Sequence, residues 1–426
     1  MLKRTILILL AVLSSHFLQS QNTPKEKHFS KQELETLFLE QNIDLLAKKL
    51  EISQAEAQLI QAKLWPNPTF EISEVNLWKT TNIEEQEPLI GNWGTAQQIS
   101  MHLEQMIQMG GKRRKNIDLQ KLSIEEREKE FEHVVRQSKL EFRNLMNTLV
   151  MLQEQKKIYQ NQIANTQALI KAFKNQLDHG NISQAEYIRL KAAELQFRKE
   201  LNDVNKDWQE AMKELKNFIN LGKNTDIVIT TPLEAPKKTV SEMQLEDWII
   251  NAQESRPDIL LSKNLEKQSQ KKLEIEKAER IPDLTLGVDY DRGGNIMTNF
   301  VGFGVSFDLP IFNRNKGNIK DAEIEIQLSK LETQNKQNEI ANAIIEAFRN
   351  YYDAEQLYHT IDTDYEQQLD KLLDAYYKNF QKKNVSMIEY LDFVEAYLDN
   401  KNILLETKKD LNEHFETLQY AIGQEL

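Results

Sequence analysis

Between Lys112 and Asp178 the chain carries neither glycine nor proline, and this interval constrains the fold more than any other feature. Without the two strongest helix breakers, it has room for a single helix roughly 100 Å long at about 1.5 Å per residue. A second interval, about Asn318 to Lys382, is similar and predicts a second long helix. Helices of this length do not fit inside a compact globule and must pack lengthwise. Their apolar spacing agrees: Ile340, Ile344, Ala347, Tyr351, Ala354, Tyr358, Ile361 and Tyr365 step by alternating fours and threes, as in a coiled-coil seam. Phe142, Leu145, Leu149, Leu152, Tyr159 and Ile163 repeat the pattern in the first interval.

The two intervals belong to a tandem duplication. Asn42 to Leu46, running on to Leu64-Trp65-Pro66-Asn67-Pro68-Thr69-Phe70, has a counterpart in Asp258 to Leu261, running on to Arg280-Ile281-Pro282-Asp283-Leu284. Likewise Gly180-Asn181-Ile182-Ser183-Gln184-Ala185-Glu186-Tyr187 is echoed by Lys383-Asn384-Val385-Ser386-Met387-Ile388-Glu389-Tyr390. Each half reads as helix, strand, strand, very long helix, turn, long helix. The spacing predicts a first repeat over 21–223, a linker with a small extra layer over 224–246, and a second repeat over 247–426. Ser183 and Ser386 stand where they can cap the helices that follow each turn.

The strands have two unlike faces. In Leu284 to Asp291, apolar Leu284, Leu286, Val288 and Tyr290 alternate with Thr285, Gly287, Asp289 and Asp291. In Val301 to Leu309, Val301, Phe303, Val305, Phe307 and Leu309 alternate with Gly302, Gly304, Ser306 and Asp308. Ile99, Met101 and Leu103 alternate with Ser100, His102 and Glu104, whereas Phe70 and Ile72 precede a change of phase near Glu74, Val75 and Leu77 that predicts a bulge. One face suits lipid and the other water, at about the 9–11 residues a tilted membrane strand needs. On this alternation His102, Asp289 and Asp308 face water. Trp65, Trp78, Tyr290 and Phe312 lie near strand ends, where interfacial aromatics are expected. Four strands cannot close a barrel, so subunits would have to pool them.

At the N-terminus, Lys3 and Arg4 precede the apolar run Ile6 to Leu13, which predicts a signal peptide over residues 1–20 and an exported protein. No later stretch approaches the length of a membrane helix. There are no cysteines, hence no disulfide, thiolate metal site or cysteine-linked lipid anchor. The formal charge of −12 argues against nucleic acid as a partner. No helical His pair, phosphate loop, nucleophile elbow or zinc-hydrolase spacing is present, so no enzyme, resident metal or cofactor is expected.

These residues resemble the TolC-like outer-membrane efflux family over essentially the whole mature chain. The resemblance rests on the helix-to-strand junctions at Leu64 to Pro68 and Arg280 to Leu284, the strand-to-helix exits Gly110-Gly111-Lys112-Arg113 and Leu309-Pro310-Ile311-Phe312-Asn313-Arg314, and the paired tips. The Asn-Pro junction and Gly-Gly-Lys-Arg exit look most similar to the branch that serves heavy-metal efflux pumps. The resemblance implies a mainly α protomer with four transmembrane strands, a homotrimer whose strands form a 12-stranded barrel in outer-membrane lipid, and coiled-coil helices forming a periplasmic α-barrel. It also implies a passive duct for metal cations or drugs, served by a periplasmic adaptor and an inner-membrane pump of the RND type. By the same resemblance, Glu389 and Asp392, with Glu186 as the first-half match, ring a constricted periplasmic entrance, and the tips Gly180, Asn181, Ser183, Asn384 and Ser386 meet the adaptor. The same carboxylates also fit an ordinary solvated helix face, and His102 an ordinary polar strand residue. The competing reading is a periplasmic coiled-coil adaptor, which would have one helical hairpin flanked by small β-domains.

Overall fold

The computed structural model describes residues 25–76, 98–222, 225–238, 240–293, 297 and 299–426. The expected signal peptide, Leu77 and Trp78 lie outside them. In chain order the elements are β1 (Lys25–Phe29), α1 (Lys31–Gln41), α2 (Ile43–Ala62), β2 (Thr69–Asn76), β3 (Gln98–Ile107), α3 (Lys112–Asp178), α4 (Gln184–Phe218), β4 (Thr225–Ile229), α5 (Leu245–Ser255), α6 (Pro257–Ala278), β5 (Leu284–Arg292), β6 (Phe300–Ser306), α7 (Lys316–His359), α8 (Tyr365–Gln381) and α9 (Met387–Ile422). They gather into two compact units that each draw on both sequence halves. One comprises the chain up to Ala47, His133–Arg256 and Ile340–Leu426; the other comprises Lys48–Glu132 and Pro257–Glu339.

The second unit holds the four expected strands as one antiparallel sheet in the order β2-β3-β5-β6. Each half of the duplication supplies a hairpin, and β3 pairs with β5 to join them. The register breaks between Ser73 and Asn76, and Glu74 has φ 50°. The phase change in the sequence is therefore a bulge, with Glu74 forced into the left-handed region. The last strand stops at Ser306 rather than at Leu309. Its partner β5 begins at Leu284, just after Pro282, so residues beyond Ser306 find no ladder within this sheet. Asp308 consequently lies past the strand on which the alternation placed it.

The first unit is helical. The uninterrupted α3 has its expected 67 residues. Its counterpart does not run unbroken to Lys382: α7 ends at His359 and α8 restarts at Tyr365. The intervening Thr360-Ile361-Asp362-Thr363-Asp364 is rich in β-branched and Asp residues, which favour helix poorly. The last turn of α7 tightens as Thr360 and Ile361 donate to Leu357 and Tyr358 carbonyls, and the Thr360 hydroxyl donates 2.7 Å to the Leu357 carbonyl. The seam still buries Ile340, Ile344, Ala347 and Tyr351. A two-stranded parallel sheet of β1 and β4 flanks α3, where the Gln153 amide donates to the Ile229 carbonyl at 3.0 Å and accepts from its N–H at 3.2 Å. The β-prone stretch after the first repeat is β4; its partner β1 was not foreseen.

Candidate functional site

Two places in the chain carry functional geometry, the four-stranded sheet and the paired helical turns, and each lies within one unit. In the sheet, cross-strand register aligns Phe70, Leu103, Val288 and Phe303 in one row, and Glu71, His102, Asp289 and Gly302 in the next. Because successive side chains point to opposite faces, these rows lie on opposite sides. The apolar face leaves Phe70, Ile72, Leu103, Leu286, Val288, Val301, Phe303 and Val305 exposed, with Phe303 84% exposed. A water-soluble sheet buries such a face; this one offers it to the surroundings. On the polar face, His102 Nδ1 lies 2.5 Å from Asp289 Oδ1 and its Nε2 lies 3.4 Å from Glu104 Oε2. Gly287 gives that ring its room, since a Cβ there would sit 3.1 Å from His102 Cε1. Among the described residues no group of three His, Asp or Glu side chains is disposed to hold a metal ion.

Both helical turns belong to the first unit and share one construction. At the first, Gly180 (φ 73°) ends α3, and the N–H groups of Gly180 and Asn181 donate 2.9 Å to the Leu177 and Gln176 carbonyls. At the second, Lys383 (φ 62°) ends α8 and Asn384 N–H donates 2.9 Å to the Asn379 carbonyl, the same backward bond. Ser183 and Ser386 then start α4 and α9 with full capping boxes. Glu186 accepts the Ser183 N–H at 2.8 Å and Glu389 accepts the Ser386 N–H at 2.8 Å, while each serine hydroxyl caps the glutamate N–H in return. The Ser183 and Ser386 backbone bonds, reinforced by the hydroxyls, hold both carboxyls below the ordinary Glu range. The Lys383 charge adds a smaller lowering at Glu186. Asp392 is exposed and forms no hydrogen bond or ion pair among the described residues. Behind the turns, Phe173 stacks on Phe380 at 5.2 Å and Phe380 on Tyr390 at 4.7 Å, in a core shared by both hairpins.

The sequence pattern of the outer membrane efflux protein family matches residues 35–221 and 248–424. The chain belongs to that family. Solved structures with the same fold include the CusC transmembrane channel (TM-score 0.71, 18% identity, 93% of this chain and 92% of that one) and the Campylobacter jejuni CmeC outer membrane channel (TM-score 0.70, 18% identity, 92% and 85%). The Vibrio cholerae outer membrane protein VceC is also similar, at TM-score 0.67 and 14% identity over 93% of this chain and 96% of that one. No curated protein matches in sequence.

In this efflux protein the turns hold the expected residues together, but Glu186 and Glu389 are helix caps first, a pairing readable from the Ser-x-x-Glu spacing. Sequence reasoning missed a charged cluster around Arg143, whose partners come from α1, α9 and the C-terminal tail. Arg143 bonds Glu35 at 3.0 and 3.1 Å, Glu416 at 2.9 Å and Glu425 at 3.0 Å, while Lys139 pairs with Glu35 and Glu425. Burial would lower the Arg143 pKa, yet the carboxylates raise it; burial raises that of Glu416 despite the arginine. No local pattern signals such a cluster.

The second turn carries a cost the first avoids. A lysine in the left-handed region is strained where glycine is not, so Lys383→Gly should stabilise the α8–α9 hairpin by about 0.5–1 kcal/mol. Slower amide exchange in the first turn of α9 would report this; unchanged or faster exchange would mean that the Lys383 charge outweighs the strain.

Proposed function

We propose that three copies of this efflux protein pool their strands into one 12-stranded outer-membrane barrel and their long helices into a periplasmic duct. The family is one of efflux channel proteins, and the chain acts as a channel component rather than an enzyme. The sheet carries this reading. It has an apolar face suited to lipid, a polar face suited to a water-filled lumen, and, among the described residues, open edges at β2 and β6, which lipid would not tolerate unless neighbouring copies paired them. His102 and Asp289 then line the lumen, with Asp308 at its inner margin. The duct passively conducts metal cations or drugs delivered by an inner-membrane pump of the RND type through a periplasmic adaptor, which meets the turns at Gly180, Asn181, Ser183, Asn384 and Ser386.

Protein extracted by detergent from salt-washed outer membranes should run as a trimer that dissociates on heating. A water-soluble monomer or dimer would overturn the barrel and favour a coiled-coil adaptor.

At the entrance, three copies of Asp392 supply the freely exposed carboxylates, supplemented by the outward oxygens of Glu389 and Glu186. Alanine at both Asp392 and Glu389 should weaken block by multivalent cations in bilayer recordings, Asp392 accounting for most of the change because it has no competing cap. Unchanged block would remove the acidic ring and leave the channel standing.

A further inference from the structure

The places where helices meet strands form a continuous belt in the second unit. Arg113 stacks over the Trp65 ring at 4.7 Å and donates to the Lys63 carbonyl, which joins the end of α2 to the start of α3. Lys112 reaches Glu279 at 3.1 Å and Asp283 at 3.0 Å, which joins α3 to the β5 approach. Asn315 donates 2.9 Å to the Glu276 carbonyl and bonds its carboxylate at 2.6 Å, which joins that approach to α7. Glu276, Glu279 and Asp283 are thereby engaged. Lys63, Arg280 and Lys316 remain exposed and form no ion pair among the described residues.

Apolar side chains stand among these cations. Trp65 is 58% and Phe312 99% exposed, flanked by exposed Leu64, Ile281, Leu309 and Ile311. All four strands meet the helices at this one end of the sheet, as the pairs Thr69 with Glu104, Ile107 with Leu284 and Thr285 with Ser306 require. Aromatic rings and unpaired cations at the margin of an apolar face are what a lipid headgroup region selects.

We propose that this belt binds anionic phospholipid headgroups of the periplasmic leaflet. Lys63, Arg280 and Lys316 hold the phosphates, and Trp65 and Phe312 sit at the glycerol level. The proposal rests on the barrel reading. A phosphate surface backed by acyl chains complements both these cations and the exposed apolar side chains among them, whereas an acidic protein surface would match the cations alone.

The test uses the full mature protein in nanodiscs of phosphatidylcholine alone or mixed with phosphatidylglycerol, followed by native mass spectrometry of retained lipid. At low salt the wild type should retain phosphatidylglycerol over phosphatidylcholine by about tenfold or more, and the preference should fade at high salt. Lys63→Gln, Arg280→Gln and Lys316→Gln combined should bring the two lipids to near parity. The charge-conserving set Lys63→Arg, Arg280→Lys and Lys316→Arg should keep the preference. Insertion with no lipid preference in the wild type, or a preference that survives the glutamine set, would overturn the belt alone. Failure to insert into either bilayer would overturn the belt and the barrel together.

Discussion

Arginine in place of Phe303 should deplete the protein from the outer membrane. Phe303 stands at the middle of β6, in the apolar row with Phe70, Leu103 and Val288, and is 84% exposed within its own chain. If that row faces lipid, a cation near the bilayer midplane costs about 2–4 kcal/mol, and a trimer incurs the cost once per copy. The expected result is a large loss of heat-sensitive oligomer from washed outer membranes. The same charge on the polar face, Ser306→Arg, should leave insertion nearly unchanged. In a water-soluble protein Phe303→Arg would be harmless or would improve solubility, so normal levels of the variant in the outer membrane would show that this face does not meet lipid.

Phe142→Ala should produce the largest loss of stability in the helical unit. Phe142 is 1% exposed, stacks on Phe38 at 4.8 Å and meets Phe218 edge-on at 5.7 Å, while Phe38 and Phe218 contact each other at 5.5 Å. The three rings come from α1, α3 and the end of α4, so one truncation removes a shared centre. Truncations of this kind cost about 3–5 kcal/mol through lost burial and the cavity left behind. A matching drop in the denaturant midpoint of the helical signal is expected, with Phe142→Leu losing much less. A drop below about 1 kcal/mol would mean that Phe38 and Phe218 close the gap.

Both predictions draw on features that differ in how far the sequence reveals them. The alternation that places Phe303 outward is visible in the chain itself. The ring cluster around Phe142 is not, because its members are distant in sequence and meet only when α1 and α4 pack on α3.

The same division runs through the molecule. Sequence alone determined the length of α3, the two-faced strands, the duplicated turns with their serine caps and the bulge at Glu74. Each depends on breakers, periodicity or capping within a few residues, so the local chain carries the information. Tertiary structure decided the pairing of β1 with β4, since the short polar segment Lys25–Phe29 becomes a strand only when Thr225–Ile229 supplies its hydrogen bonds. It also decided the Arg143 cluster and the division into units that cut across both halves. The break between α7 and α8 lies between these cases. Its helix-poor residues are legible, but the apolar seam continues through Ile361 and Tyr365, and only the folded hairpin shows that local propensity prevails over the periodic pattern there.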